Sequence, residues 1–247
     1  GQMDISDAVV TTTPALKALY GQYSDNVFLA PNSLDFRAWD KTPAKHSGIR
    51  VGWVGGGNHY GDLELVRGAI RRVLDKYPEV KFYCLHGVPD FWKNEPGVVP
   101  VNEWATTDVY PGWIAKHGFD IGIAPLRDNF FNRGKSNLRY LEYSSMGIPT
   151  VASNVGNFKE TLTHGHTGLL CDNEEDWVRN LSSLIEDAEL RKRMGGLARR
   201  DCLTRFNVDK NAKAYLRQLR TLVKQGPTLE EAPPEANESL QLAAGNC

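Results

Sequence analysis

One stretch, FNRGKSNLRYLEYSSMGIPTVAS from Phe131 to Ser153, gathers a cation, a hydroxyl and a carboxylate that could meet one polar, anionic ligand. Gly134-Lys135-Ser136 offers an ammonium and a hydroxyl, flanked by Arg133 and Asn137, and Glu142 follows seven positions after the lysine. An ammonium neutralises phosphate charge, and a carboxylate accepts hydrogen bonds from two hydroxyls at once. A second polar turn, Gly55-Gly56-Gly57-Asn58-His59, lies upstream. Each segment falls between a strand-like run and a helix-like one. Each therefore offers unpaired backbone N–H groups and the positive end of a helix dipole.

Two common phosphate loops fit poorly. The P-loop pattern G-x-x-x-x-G-K-[ST] needs glycine at position 129, where the chain has Asn129, and no apolar strand ends in a magnesium-binding aspartate. A dinucleotide fingerprint needs a third glycine after Gly55-Gly56-Gly57, and Tyr60 stands there.

The elements that must hold these segments alternate, as in a parallel α/β sheet. Strands are expected at Ile49 to Val54, Val80 to Leu85, Phe119 to Ala124 and Thr150 to Ser153. Val98 to Val101 carries Pro100 and reads as an edge strand. Helices are expected at Leu63 to Tyr77, Pro111 to Lys116, Ser136 to Met146, Glu174 to Asp187, Ala188 to Arg200 and Val208 to Lys224. Trp177, Leu181, Leu184 and Ile185 give the Glu174 helix one apolar face, with Asn173 or Asp172 as its cap. At the start, Ala8 to Thr11 and Val27 to Ala30 flank a helical Pro14 to Tyr20, like the last βα unit of a preceding domain.

Composition narrows the function classes. The chain has 247 residues, 41% hydrophobic and 24% charged, which suits a globular protein. A net charge of -1 gives no basic face for nucleic acid. Cys84, Cys171, Cys202 and Cys247 form no C-x-x-C pair and no zinc spacing, nor do His86, His117, His164 and His166. No apolar run reaches the roughly 18 residues of a membrane span, and no signal-peptide pattern opens the chain. The expectation is a cytoplasmic chain, with peripheral membrane attachment left open and no transmembrane segment.

From Phe119 to Cys171 the sequence closely resembles the donor-binding domain of GT-B-fold glycosyltransferases of the family 4 (group 1) type. The resemblance rests on FDIGIAPL, FNRGKSNLRYLEYSSMGIP, TVAS, and then Gly156, Glu160, Gly165 and Thr167 to Leu170. It extends from about Ala8 to Phe206 and includes Pro31-Asn32-Ser33-Leu34-Asp35, similar to the family's P-N-G-x-D interdomain connection.

The resemblance implies an α/β fold: a Rossmann-like parallel sheet flanked by helices, the C-terminal half of a GT-B fold with a remnant of the N-terminal domain. Residues 1–46 would be that remnant and the linker, 47–224 the nucleotide-sugar domain and 225–247 a flexible acidic tail. The implied reaction transfers a sugar from a UDP- or GDP-sugar to an unknown acceptor with retention, needing no metal or other cofactor. Lys135 and Glu142 are the implied catalytic pair. Glu142 would accept the nucleotide ribose, and Lys135 and Ser136 the pyrophosphate, with Gly55, Gly56, Gly57, Asn58, Arg133, Gly134 and Asn137 completing the site.

The chain departs from the family at two places. The first glutamate of the E-x7-E motif falls at Gly134, and the family's Arg and Lys align near Asn58 and Tyr60. Lys135 and Arg133 are then left to carry the phosphate charge, as in the K-S-x-L-x-x-L-E-Y variant. Trp104 is expected to pack rather than stack on a base, and an ion pair with Arg139 is the plain structural account of Glu142. Because complete enzymes of this type are longer, a separate N-terminal-domain chain is an expected partner. A truncated binding module without catalysis and a P-loop-like phosphotransferase stand as alternatives.

Overall fold

The computed structural model describes residues 6–56 and 59–225. The expected tail beyond Gln225 therefore lies outside the described residues, as do Gly57 and Asn58.

The chain opens with β1 (Val9–Thr11), α1 (Pro14–Tyr20) and β2 (Val27–Leu29), and the two strands pair in parallel as a small sheet of their own. Thr13 caps α1 by accepting from the Leu16 N–H. After α2 (Phe36–Trp39) the chain enters the main sheet.

That sheet holds β3 (Ile49–Val54), β4 (Val80–Leu85), β5 (Val98–Val101), β6 (Ile121–Ala124), β7 (Thr150–Ser153) and β8 (Leu169–Cys171). All neighbours are parallel, in the order β5-β4-β3-β6-β7-β8. The expected parallel Rossmann-like sheet is the one observed. Pro100 lies on the edge strand β5, as expected of a residue without an N–H.

Helices cover both faces. α3 (Tyr60–Glu64), α4 (Arg67–Lys76) and α9 (Glu174–Glu186) follow β3 and β8, and α4 and α9 close one face. Trp53, Val73, Trp177 and Leu181 meet there, all almost fully buried. Removing a Trp side chain from such a core costs about 3–5 kcal/mol. On the other face α5 (Tyr110–His117) and α7 (Leu138–Ser145) pack through Trp113, Ile114, Tyr143 and Met146. The short α6 (Phe130–Arg133) and α8 (Gly156–Thr161) follow β6 and β7. Finally α10 (Ala188–Arg205) lies over α7, and α11 (Val208–Gln225) returns to the linker, where Asn211 Nδ2 donates to Ser33 Oγ at 2.7 Å.

One helix differs from expectation, and one open choice is resolved. The segment expected as one helix from Leu63 to Tyr77 starts earlier and breaks at Leu65–Val66, giving α3 and α4. Of the two offered caps for α9, Asn173 is the one used, accepting from the Asp176 N–H at 3.0 Å.

Candidate functional site

β3 pairs with β4 on one side and β6 on the other, so the chain order reverses between β3 and β6. Loops leaving the C-terminal ends of those strands diverge there and open a crevice. A cleft of about 800 Å³ occupies that position, lined from the β3 loop by Gly55, Gly56 and His59. Lys135, Ser136, Arg139 and Glu142 line it from the segment after β6, and His86, Trp104 and Tyr110 line its far end.

Helix α7 carries Glu142 and is fixed at its C-terminal end. Its last turn closes through Gly147 and Ile148, whose N–H groups donate to Ser144 O at 2.9 Å and Tyr143 O at 3.0 Å. Gly147 has φ +73°, the left-handed conformation this helix stop requires. Buried Tyr143 accepts from the Val54 N–H at 3.2 Å, with its hydroxyl 3.4 Å from the Gly52 and Ile123 carbonyls. One side chain thus fixes α7 against β3 and β6, and Glu142 is held at their ends.

Glu142 is 6% exposed, and no hydrogen bond or ion pair to its carboxylate occurs among the described residues. Burial pushes its pKa up to about 7, with the nearby Arg139 charge acting in the opposite direction. The ion pair suggested by the Arg139–Glu142 spacing does not form. Instead the Arg139 guanidinium lies 5.4 Å from the Trp53 ring centre, against the bare Cα of Gly55.

At the opposite end, Asp62 binds the two loops together. It accepts from the Arg127 N–H at 3.0 Å and from Asn132 Nδ2 at 3.1 Å. His59 Nδ1 approaches it at 3.3 Å and the Lys135 ammonium at 3.4 Å. Burial alone would raise this carboxyl, but the bonds with His59 and the Arg127 N–H and the Lys135 charge outweigh it, holding the pKa at about 2. Lys135 also rests 5.3 Å above the Phe131 ring. Ser136 Oγ accepts from Asn32 Nδ2 at 2.9 Å, which leaves its own proton free to donate into the cleft.

Three expected site residues face elsewhere. Arg133 ends α6 and pairs with Asp128 at 2.6 Å, in a separate surface depression with Asn154 and Lys159. α6 ends at Arg133, and the turn at Gly134 lies between it and Lys135. Gly134 faces Leu16 of α1, and its carbonyl accepts from Thr13 Oγ1 at 3.1 Å. Asn137 is buried, with Nδ2 donating to Thr161 Oγ1 at 3.1 Å. None of the three lines the cleft.

The far end is aromatic. His86 lies flat against Trp104 (ring centres 4.2 Å apart) on one side and Trp113 (4.8 Å) on the other. Burial, aided by the Arg139 charge, lowers the His86 pKa and so favours the neutral imidazole in the stack. Trp104 was expected to pack, and one of its faces does, yet it stays 70% exposed at the cleft mouth. Among the described residues no group of three or more His, Cys, Asp or Glu is placed to hold a metal, and no helix is long and apolar enough to cross a membrane.

Comparison with known proteins adds the relatives. Residues 138–201 match the family described as Glycosyl transferases group 1. D-inositol 3-phosphate glycosyltransferase of Paenarthrobacter aurescens is 40% identical over 60 residues, covering 24% of this chain and 15% of that protein. Sucrose-phosphate synthase from Thermosynechococcus elongatus superposes with TM-score 0.69 at 15% identity, over 91% of this chain and 60% of that one. Anabaena HepE, solved with UDP and glucose, gives TM-score 0.68 at 14% identity, over 87% and 63%. The chain thus spans less than two thirds of each. In fold the chain is similar to the GT-B glycosyltransferases, and its residues 138–201 match the group 1 family in sequence.

Proposed function

We propose that the cleft holds the nucleoside diphosphate of a sugar donor and that the chain is the donor half of a retaining glycosyltransferase. One observation carries this reading: a buried carboxylate with no partner among the described residues and an ammonium line the same cleft at the switch point of a parallel sheet. Glu142 accepts the ribose hydroxyls, which supply the partners that a buried carboxylate needs. Lys135, the Ser136 hydroxyl and the start of α7 meet the diphosphate. When the bond from sugar to phosphate breaks, negative charge grows on the departing diphosphate, and a cation already in place stabilises it without reorganisation. The exposed ring of Trp104 offers the base a stacking surface. UDP in the HepE structure supports a nucleotide of this kind.

Residues 1–46 fit the end of an acceptor-side domain, so the acceptor meets a surface beyond residues 47–224, on the same or a separate chain. Calorimetric titration with UDP and GDP tests the reading. One of them should bind, and Glu142→Ala and Lys135→Ala should each weaken it about tenfold or more, the loss of one charge-assisted contact. Silence with both nucleotides, or variants that bind like the parent, would refute it. Labelled nucleotide sugars then report hydrolysis or transfer.

A further inference from the structure

Three cations lie on the segment from Arg133 to Arg139, and their partners differ. Arg133 is paired with Asp128 and faces away from the cleft. Lys135 is in the cleft but already sits 3.4 Å from the Asp62 carboxylate, itself 7% exposed. Arg139 is in the cleft with no carboxylate oxygen within ion-pairing distance among the described residues, and its Nε is buried without a hydrogen bond. The residue is half-buried at the cleft wall, and a buried N–H left unmatched is costly unless something completes it. Its surroundings hold it rather than neutralise it: the Trp53 ring lies below, and position 55 has no side chain to displace it. A Cβ there would collide with Nη2.

Its location matters as much as its charge. Arg139 stands one helical turn before Glu142 and one turn after Ser136, between the groups assigned to ribose and diphosphate. It also lies at the end of β3, whose following loop brings no Lys or Arg to the cleft among its described residues.

We propose that Arg139 is a donor-binding residue, its guanidinium taking the diphosphate oxygens through its fixed fork of N–H groups and supplying the principal uncompensated positive charge of the site. The inference rests on the nucleotide-sugar reading and extends it: Lys135, tied to Asp62, is the secondary cation. A planar fork matches two phosphate oxygens at once, which an ammonium does not.

The test separates phosphate from nucleoside. Parent chain, Arg139→Met and Arg139→Lys are titrated calorimetrically with UDP, uridine, GDP and guanosine, and thermal unfolding checks each fold. Arg139→Met should weaken the preferred diphosphate at least tenfold and leave its nucleoside within twofold; Arg139→Lys should recover only part of the loss. Diphosphate affinity within twofold of the parent in Arg139→Met would overturn the assignment while leaving the nucleotide reading intact. Equal losses for diphosphate and nucleoside would overturn it too, marking Arg139 as scaffolding. A parent chain that binds none of the four ligands removes both readings together. Should Arg139→Met fail to fold, Arg139→Lys and Arg139→Gln, which keep most of the stem, decide the question by the same diphosphate-to-nucleoside ratio.

Discussion

The Lys135 ammonium and the Asp62 carboxylate stand 3.4 Å apart, joining the loop after β6 to the helix after β3 across the crevice. Asp62 also accepts from the Arg127 N–H and from Asn132, so one buried carboxylate orders most of the loop that leads to α7.

Asp62→Asn should therefore destabilise the fold by about 1–3 kcal/mol at neutral pH, the cost of disturbing buried charge-assisted bonds. The folded-state pKa of about 2 lies below the ordinary 3.8, so Asp62 contributes stability above about pH 4 and loses it as pH falls through 2. Urea unfolding of parent and variant should show a gap at pH 7 that narrows at pH 3. A constant gap would mean that the hydrogen bonds matter and the charge does not.

Glu142 has the opposite sign. Its folded-state pKa of about 7 exceeds the ordinary 4.5, so the protonated acid favours folding below about pH 4.5 and that advantage is lost as pH rises through 7. Glu142→Gln should make the chain more stable at pH 8, with a ceiling on the order of 3 kcal/mol, and change little at pH 4.5. Melting curves at the two pH values check this.

Donor binding should show the same group from the other side. In the proposed complex ribose hydroxyls stabilise the ionised carboxylate, so binding should release a proton and affinity should rise with pH up to about 7. A nucleotide sugar, whose diphosphate is doubly esterified and does not titrate there, should bind up to about tenfold more tightly at pH 8 than at pH 6. Glu142→Gln should flatten that profile; a parent profile that is already flat would count against the ribose contact.

Trp104 is 70% exposed, so Trp104→Ala should leave the melting temperature nearly unchanged. Loss of a base-stacking surface should still weaken nucleotide binding by about 1–3 kcal/mol. Unchanged calorimetric affinity would place the base elsewhere.

Tyr143→Phe removes the hydroxyl that meets the Val54 N–H and the carbonyls of Gly52 and Ile123. Stranding buried backbone groups should cost about 1–3 kcal/mol in chemical unfolding. Nucleotide affinity should fall as well, because the helix carrying Glu142 loses its anchor; stability loss alone would show that α7 keeps its place without it.

The sheet was legible because parallel strands covered on both faces are near-continuous apolar runs, broken in IRVGWV and VKFYCL only by Arg50 and Lys81 near the strand starts. The break between α3 and α4 was hidden because Leu63, Val66, Ile70 and Val73 keep a helical spacing straight through it. Helices as short as α2, α6 and α8 carry too few turns to show a period. In the site, Lys135 could be placed at the sheet edge from the order strand, loop, helix, and Glu142 from the resemblance. The aim of Arg133 could not, since it depends on where α6 ends. The roles of Asp62 and His86 arise from partners distant in sequence, such as Asp62 with Asn132, and no local spacing announces them.

The outer strand of the main sheet has a consequence for assembly. On β5 the Gly97 and Val101 carbonyls bind inward, to the N–H groups of Phe82 and Gly87, so Val98 and Pro100 turn their amide positions outward. Val98 gives its N–H to Glu95 O at 3.1 Å, and Pro100 has none to give. That rim offers acceptors without a free donor, so another strand arriving from a second copy or an unfolded neighbour finds no reciprocal ladder to join. The sheet that carries the cleft is thereby protected at this border against end-on growth into aggregates.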